Sequence, residues 1–369
     1  MGPQCIIARR KPHNTGLRES VERRADYDRP QAAEARVLAA ALGLPGRRIL
    51  CTTLGRAQAA MALAASRPEA AVACWFWDEH PWRLACQAAP ASSRSSMLCQ
   101  ADLPAGPFDL AVLPVPRRGE AEFTRDVLQA ACQRLAIGGK LIAAVDNPDD
   151  RWLRDQLGAL FAKIAVQPFP DATVYVALKQ SELRRVRNYR CQFAFRDRGR
   201  LLQAVSRPGV FAHRRIDPGA RQLLAAAEVR AGMRVLDIGC GAGTVAIGAA
   251  ARDAAAAVHA VDGNARAVEC TLEGAALNGL ANVTAELNST GVYGEPGAYD
   301  LALANPPYYA DFRIAELFVR AAHRSLRPGG QLIAVTKHPA WYEEHMHGWW
   351  RDVEIAPSKQ YWVVRAIRA

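Results

Sequence analysis

The sequence predicts an α/β protein built from two tandem domains of common ancestry, and two observations support that prediction. A glycine-rich turn joins an apolar run to a helix of small residues at residues 235–251. Four signals of the first half recur in the same order in the second half, about 190 residues later. At 369 residues the chain is long enough for two domains that each bury a core.

The four repeated signals follow a first predicted helix at residues 31–42. They are a strand–turn–helix segment, an apolar run that ends at an acid, a strand that begins aromatic-Asp-Leu-Ala, and a Gly-Gly turn that leads into a strand. In this pairing Asp78 stands where Asp262 stands in the second half. The paired segments are residues 47–64 with 235–251, 71–78 with 257–262, 108–116 with 299–307, and 135–145 with 326–336.

The chain therefore divides into four segments. Residues 1–30 are a basic N-terminal arm, residues 31–180 the first domain, residues 181–215 a basic connector and residues 216–369 the second domain. Of the net charge of +11, the connector carries +8, from ten arginines and two acids. This excess favours a polyanion partner such as nucleic acid, although a solvated, disordered linker would show the same composition.

The aromatic residues of the connector also allow two interpretations. Arginine side chains beside exposed aromatic rings are a common means of gripping single-stranded RNA. Phe193 and Phe195 alternate with polar neighbours, however, so they would equally suit the buried face of a short strand. Tyr189 and Phe211 complete the set.

Composition excludes several classes of protein. The nine cysteines are scattered without a C-x-x-C pair, which argues against a zinc ribbon or a disulfide framework. No apolar run approaches the roughly 20 residues of a membrane helix, and the N-terminus lacks the apolar core of a signal peptide. We expect a protein of the reducing cytoplasm with neither a membrane partner nor a metal ion.

The residues with chemical potential cluster in the second half. Glycines in a G-x-G-x-G turn allow the backbone to bend sharply and to lie close to a ligand. Asp262 ends the second apolar run, where an acid can accept hydrogen bonds from both hydroxyls of a ribose. A third strand ends in Asn-Pro-Pro-Tyr at residues 305–308. The turn glycines are Gly239, Gly241 and Gly243.

The first copy lacks these residues. Cys51 stands in the place of Asp237, and the turn retains only Gly55. Residues 113–116, which replace the Asn-Pro-Pro-Tyr sequence, offer no amide. We infer that the first copy keeps the fold and has lost cofactor binding. Its remaining role would be to stabilise the second copy or to hold substrate.

Residues 205–369 resemble the catalytic domain of the ribosomal RNA small-subunit methyltransferase C and large-subunit methyltransferase G family. These are S-adenosylmethionine-dependent enzymes that methylate guanine amines and carry a degenerate N-terminal copy. The resemblance implies two tandem Rossmann-like class I methyltransferase domains, the N-terminal one degenerate. It rests on the glycine turn and on residues 208–211, 216–224, 305–308, 326–330 and 363–368.

The resemblance also implies S-adenosyl-L-methionine as the cofactor. The glycine turn would hold its methionine part, which Asp237 would bind directly or through water, and Asp262 would take the ribose hydroxyls. Asn288 stands where many methyltransferases place an Asp against the adenine amine, and an Asn carbonyl can accept the same hydrogen bond. An ordinary loop residue after the fourth strand is the alternative for Asn288.

Catalysis in such an enzyme depends mainly on orientation. The side-chain oxygen of Asn305 and the backbone carbonyl of Pro306 would accept hydrogen bonds from the target amine and aim its lone pair at the methyl group. Pro306 and Pro307 restrict φ, and Tyr308 would stack on the planar target. The family pattern continues Asn-Pro-Pro-Phe-His, whereas this chain has Tyr308 and Tyr309. Tyrosine keeps a ring that can stack but removes a histidine, so this departure leaves the target base and the target macromolecule undecided.

We therefore predict a monomeric N-methyltransferase that acts on the exocyclic amine of guanine, with ribosomal RNA or a ribosomal subunit as its partner. A protein glutamine amide N-methyltransferase could use the same Asn-Pro-Pro-Tyr chemistry, but an amide side chain needs no basic connector. A non-catalytic RNA-binding or ribosome-assembly factor is a third interpretation. The intact second motif set beside a decayed first one argues against that interpretation.

Overall fold

The computed structural model describes residues 31–89, 95–307 and 312–369. The predicted basic arm at residues 1–30 and the predicted stacking residue Tyr308 lie outside these ranges. The described part contains two seven-stranded sheets and one two-stranded sheet. Two tandem Rossmann-like α/β domains are therefore confirmed.

The first domain alternates helices and strands. In chain order it contains α1 (Ala32–Leu42), β1 (Arg48–Cys51), α2 (Gln58–Ser66), β2 (Ala71–Phe76), α3 (Glu79–Ala88), β3 (Ser95–Cys99), β4 (Phe108–Val115), α4 (Ala121–Arg134), β5 (Leu135–Val145), α5 (Trp152–Gly158), β6 (Lys163–Pro168) and β7 (Thr173–Leu178).

A hairpin and the second domain follow. The hairpin consists of β8 (Cys191–Asp197) and β9 (Arg200–Ser206). The second domain contains α6 (Pro218–Ala226), β10 (Arg234–Ile238), α7 (Thr244–Ala250), β11 (Ala257–Asp262), α8 (Ala265–Leu277), β12 (Val283–Leu287), β13 (Tyr299–Ala304), α9 (Arg313–Ser325), β14 (Leu326–Thr336), α10 (Pro339–His345), β15 (Trp350–Ser358) and β16 (Tyr361–Arg368).

The two large sheets have the same topology. Their strand orders are β3-β2-β1-β4-β5-β7-β6 and β12-β11-β10-β13-β14-β16-β15. In each, the first five strands are parallel and the strand beside the last edge is antiparallel to both neighbours. The chain order reverses between β10 and β13, and ligands of open parallel sheets bind outside the carboxyl ends of the strands at such a point.

The strand registers revise one equivalence between the copies. Arg48 of β1 pairs with Ala71 of β2, and Arg234 of β10 pairs with Ala257 of β11. Both pairs open their strands, and β2 and β11 each have six residues. The last residue of β2 is Phe76, so Phe76 is the counterpart of the last residue of β11. An apolar side chain thus replaces the acid at this strand end in the first domain.

Asp78 therefore corresponds to Asn264. The pairing of Asp78 with Asp262 that the sequence predicted is wrong. Asp78 and Asn264 are the N-caps of α3 and α8, and the side chain of each accepts a hydrogen bond from the backbone N–H two residues later. An acid at an N-cap and an acid at a strand end look alike in a sequence, because both follow an apolar run.

The same two segments meet at the interface between the domains. Asp78 and Asn264 form an antiparallel bridge. The N–H of Glu79 donates to the carbonyl of Gly263 at 2.7 Å, and the N–H of Ala265 donates to the carbonyl of Trp77 at 2.8 Å. Because Glu79 corresponds to Ala265 and Trp77 to Gly263, the two hydrogen bonds are related by an approximate two-fold axis.

The predicted connector contains the hairpin, which packs on the second domain. Phe195, Leu202 and Ala204 lie in the hydrophobic core that covers β10 and α7, and Phe193 is partly buried against it. The interpretation of Phe193 and Phe195 as the buried face of a strand is therefore confirmed. Neither ring is exposed as a platform for an RNA base.

Several arginines of the connector are neutralised within the chain. The guanidinium groups pair with carboxylates of both domains, so part of the positive charge joins the two domains to each other. This weakens the argument from charge for a polyanion partner. The pairs are Arg190 with Glu273, Arg207 with Asp102 and Glu269, and Arg214 with Glu122.

The turn of the first domain is filled by its own side chains. Glu34 of α1 is 1% exposed and accepts hydrogen bonds from the hydroxyl of Thr53 at 2.8 Å and from the N–H of Leu54 at 3.4 Å. Burial raises the pKa of Glu34. Cys51, at the position of Asp237, is fully buried. This filling supports the inference that the first copy has lost cofactor binding.

Candidate active site

The glycine turn of the second domain is held by hydrogen bonds that its own N–H groups donate. All five N–H groups from Gly239 to Gly243 donate within the protein, so none is directed at a bound phosphate. The turn therefore differs from a dinucleotide-binding loop, in which such groups cradle the anion. The acceptors are the Val261 carbonyl for Gly239 and Cys240, the Asp262 carboxylate for Gly241, the Phe211 carbonyl for Ala242, and the Cys240 carbonyl for Gly243.

Close contacts explain two of the glycines. Gly241 has a φ of +53°, and a Cβ there would lie 1.9 Å from the carbonyl oxygen of Phe211. Gly239 has a φ of +75°, and its Cβ would lie 2.7 Å from the ring of Phe318. The segment around Phe211 therefore packs directly on the turn. Gly243 is the N-cap of α7.

Asp237 is a buried acid on β10 with an unsatisfied oxygen. It is 2% exposed, and its Oδ2 has no hydrogen-bond partner among the described residues. Burial raises its pKa to about 7, and the nearby Asp262 carboxylate adds to that shift. A buried carboxylate oxygen without a donor is costly. It therefore suits a ligand that brings a cation or a hydrogen-bond donor.

The raised pKa of Asp237 makes a prediction about stability. Because its pKa rises from 3.8 to about 7 on folding, the unfolded chain ionises first and stability falls as pH rises through this window. At pH 8 we expect the free energy of unfolding of Asp237→Asn to exceed that of the wild type by up to roughly 4 kcal/mol. At pH 4 the difference should shrink to less than about 1 kcal/mol, because the unfolded carboxyl is then only partly ionised, and cofactor affinity should fall at both pH values.

Urea titrations of both proteins at pH 4 and pH 8 measure the effect. A parallel pH dependence in the variant and the wild type would show that Asp237 is not the titrating group. Calorimetric titration with the cofactor measures the affinity in the same samples.

Asp262 is fixed beside the turn. Its two carboxylate oxygens accept the N–H groups of Gly241 at 2.8 Å and Asn264 at 2.9 Å. Burial raises its pKa to about 6. Each oxygen keeps a lone pair, so the carboxylate can still accept hydrogen bonds from ligand hydroxyls. The predicted role of Asp262 fits this geometry.

Asn288 follows β12, and its side chain is engaged within its own loop. Its Oδ1 accepts the N–H of Thr290 at 2.9 Å and the hydroxyl of Thr290 at 2.8 Å. Its Nδ2 donates to Glu286 and to the carbonyl of Val292. An acceptor role toward adenine stays a prediction, because both lone pairs of Oδ1 are used in this arrangement.

The first domain anchors that loop. The carboxylate of Glu79 accepts hydrogen bonds from the N–H and the hydroxyl of Ser289, the latter at 2.8 Å. Glu79 is 8% exposed, so water competes little for these bonds. Sequence reasoning missed Glu79, since its partner lies 210 positions away. The first domain thus holds in place the loop that carries Asn288.

Asn305 directly follows β13, and Asp217 orients its amide. The Nδ2 group donates to Oδ2 of Asp217 at 2.9 Å, which places Oδ1 on the other side of the amide. The same Asp217 oxygen accepts the N–H of Ala220 at 3.0 Å and so caps α6. Sequence reasoning missed this role, although an Asp before Pro218 at a helix start was visible.

The sheet brings the predicted residues to one edge. Asp237 pairs with Ala260 of β11 and with Leu303 of β13, so the ends of these three strands adjoin. Asp262 and Asn305 lie at the ends of the two outer strands of this group. Pro306 and Pro307 follow Asn305 directly, and Pro306 is buried. The two predicted sets, for cofactor and for amine, therefore lie side by side.

The described ranges contain neither a candidate membrane helix nor a candidate metal-binding cluster. No helix there is long and apolar enough to cross a membrane. No group of three or more His, Cys, Asp and Glu side chains there could hold a metal ion.

Comparison with known families and curated proteins shows where the similarity lies. The methyltransferase small domain family matches residues 202–365. Ribosomal RNA small subunit methyltransferase C of Chromohalobacter salexigens is 38% identical over 156 residues, which are 39% of this chain and 45% of that protein. Its counterpart from Pseudomonas aeruginosa strain LESB58 is 34% identical over 153 residues, 39% of this chain and 46% of that protein. The match thus spans about half the length of these relatives.

One solved structure is similar over both domains. It is the Thermus thermophilus 16S rRNA N2 G1207 methyltransferase in complex with AdoMet and guanosine. Its TM-score is 0.76 at 22% sequence identity, and the similarity covers 90% of this chain and 91% of that chain. The two proteins therefore share the two-domain fold.

Proposed function

We propose that this chain is a member of the ribosomal RNA small subunit methyltransferase C family and transfers a methyl group from S-adenosylmethionine to the exocyclic amine of a guanine in ribosomal RNA. The observation that carries the proposal is the position of Asn305, one residue beyond β13 and beside the strand that holds Asp237. A ribosomal substrate places the reaction in the cytoplasm.

The second domain fits the cofactor. The unsatisfied oxygen of Asp237 would accept from the methionine part, and the oriented carboxylate of Asp262 would accept from the ribose hydroxyls. The glycine turn offers close approach without a cradle for phosphate, which suits a cofactor that carries no phosphate. When bound, the cofactor supplies an electrophilic methyl group on a sulfonium.

Asn305 and Pro306 would prepare the acceptor amine. The amine of guanine shares its lone pair with the ring, which makes it a weak nucleophile. Hydrogen bonds from its two N–H groups to Oδ1 of Asn305 and to the carbonyl of Pro306 would hold the nitrogen with its lone pair out of the ring plane. Two consecutive prolines restrict the backbone that carries this carbonyl. The gain comes from orientation and fixed dipoles.

The orientation of Asn305 depends on Asp217, and this dependence can be tested. We expect Asp217→Ser to lower kcat about tenfold, because serine still caps α6 but is too short to hold the Asn305 amide. Asp217→Asn keeps an acceptor oxygen for both hydrogen bonds and should restore most of kcat. Steady-state kinetics, thermal unfolding and cofactor titration give kcat, the melting temperature and the cofactor affinity of the wild type and the two variants.

A purely structural role would give the opposite pattern. If Asp217 served only as a helix cap, the serine variant would keep both its melting temperature and its kcat. Unchanged cofactor affinity in both variants would confirm that only the acceptor side of the site is affected.

The reaction is tested by methyl transfer from radiolabelled cofactor. Naked ribosomal RNA, each ribosomal subunit and a protein extract serve as substrates, with Asn305→Ala as the control. Label that is recovered as methylguanosine and is absent with the control supports the proposal. Label in a glutamine amide would replace it with the protein methyltransferase alternative. Cofactor binding without label in any substrate would contradict transfer to RNA.

A further inference from the structure

A pocket beside Asn305 carries two cations that the proposed methyl transfer does not use. Its volume is about 350 Å³, and it lies between the start of α6 and the turn that joins β15 to β16. Helix α6 contributes Pro218, Arg221 and Gln222, the turn contributes Lys359 and Gln360, and β16 contributes its first residue, Tyr361.

The walls of this pocket are fixed to each other and to the active site. The hydroxyl of Ser358 donates to the side-chain carbonyl of Gln222 at 2.8 Å, which ties the turn to the helix. A Cβ on Gly219 would lie 3.2 Å from the ring of Tyr361 and 2.9 Å from Oδ1 of Asn305. Tyr361, which lines the pocket, and Asn305 therefore both lie close to Gly219.

The charge of the pocket is unbalanced. Arg221 and Lys359 are both exposed, and within the described ranges neither forms an ion pair. None of the six lining residues is acidic. The neighbouring carboxylate of Asp217 is engaged by Asn305 and by the N–H of Ala220. These hydrogen bonds leave the negative charge of Asp217 in place, so Arg221 and Lys359 together exceed it by one positive charge, and a concave site with such an excess attracts an anion.

We propose that this pocket binds a backbone phosphate of the RNA strand next to the target nucleotide, with Arg221 and Lys359 as its ligands. The proposal rests on the proposed function, since it takes RNA as the substrate. A base that reaches Asn305 must leave its stack, and its own strand then passes over the rim of the site. Phosphate contacts of this kind fix the register of the strand and carry no sequence information.

The test uses the full chain with Arg221→Gln, Lys359→Gln and both together. Arg351→Gln is the matched control, because it removes an exposed arginine from the opposite end of the β15–β16 pair, where Trp350 pairs with Arg368. RNA binding is titrated over a series of salt concentrations, and methyl transfer to RNA is measured beside transfer to free guanosine.

We expect the double variant to bind RNA about tenfold more weakly than the wild type. A plot of the logarithm of its association constant against the logarithm of the salt concentration should also be less steep, by about 1 in slope. Cofactor affinity and any transfer to free guanosine should be unchanged, because guanosine has no phosphate. A double variant that matches Arg351→Gln in affinity and slope would overturn the phosphate site.

The outcomes separate this site from the proposed function. Wild-type protein that binds RNA with a slope sensitive to Arg221 and Lys359, yet transfers no methyl group, would retain the phosphate site and contradict the enzyme. Wild-type protein that methylates RNA with no contribution from these two side chains would support the proposed function and contradict the phosphate site.

Discussion

Replacement of Asn305 by alanine is expected to lower the rate of methyl transfer by at least about 100-fold, a typical cost of removing one oriented dipole from a reaction centre. The variant loses the oxygen that accepts from the amine, and it leaves the carboxylate of Asp217 without its amide partner. Asp237 and Asp262 lie on other strands, so cofactor affinity should stay within about twofold of the wild type.

Single-turnover rates and cofactor titration on the same sample give both quantities. Asn305→Asp is the informative companion, because it keeps an acceptor oxygen but places a second carboxylate against Asp217. We expect its rate to lie between those of the wild type and the alanine variant, and to fall as pH rises. If the alanine variant kept half of the wild-type rate, Asn305 would not be a catalytic residue.

Replacement of Gly241 by alanine is expected to abolish measurable cofactor binding and to destabilise the fold by about 3 kcal/mol. The added Cβ would lie 1.9 Å from the carbonyl oxygen of Phe211, far inside contact distance. Either the turn or the segment at Phe211 must move. That carbonyl accepts the N–H of Ala242, so the movement also breaks a hydrogen bond of the turn.

Gly279→Ala is the matched control for backbone strain alone. Gly279 also has a positive φ, +66°, but a Cβ there would meet no atom within 4 Å. Its cost should be about 1 kcal/mol, with normal cofactor affinity. Denaturant titration measures the stability of the two variants, and calorimetry measures their cofactor affinity. If Gly241→Ala and Gly279→Ala lost the same stability and affinity, the contact with Phe211 would not explain the effect.

The fold was predictable because its main signals are local and occur twice. Apolar runs and glycine turns place β10, β11 and β13 within a few residues, and the repeat supplies an internal check. The equivalence of Asp78 with Asp262 was wrong because a strand end and an N-cap two residues later present the same pattern. Only the strand register distinguishes them.

The sequence predicted the residues of the candidate site but not the residues that hold them in place. Asp237, Asp262 and Asn305 stand at strand ends, and parallel strands bring such ends together. Asp217 and Glu79 act across 88 and 210 positions of sequence, and no local pattern reports such pairs. For the same reason the sequence did not show that connector arginines pair with carboxylates of both domains.

The two-fold contact between Trp77–Glu79 and residues 263–265 has a consequence for the history of the chain. Equivalent segments of two related folds that bond to each other across a two-fold axis form an isologous contact, as in a homodimer. Two identical subunits joined into one chain would keep such a contact. In the joined chain one domain can lose its cofactor turn as long as it still presents its docking surface, and Glu79 on that surface holds a loop of the other domain.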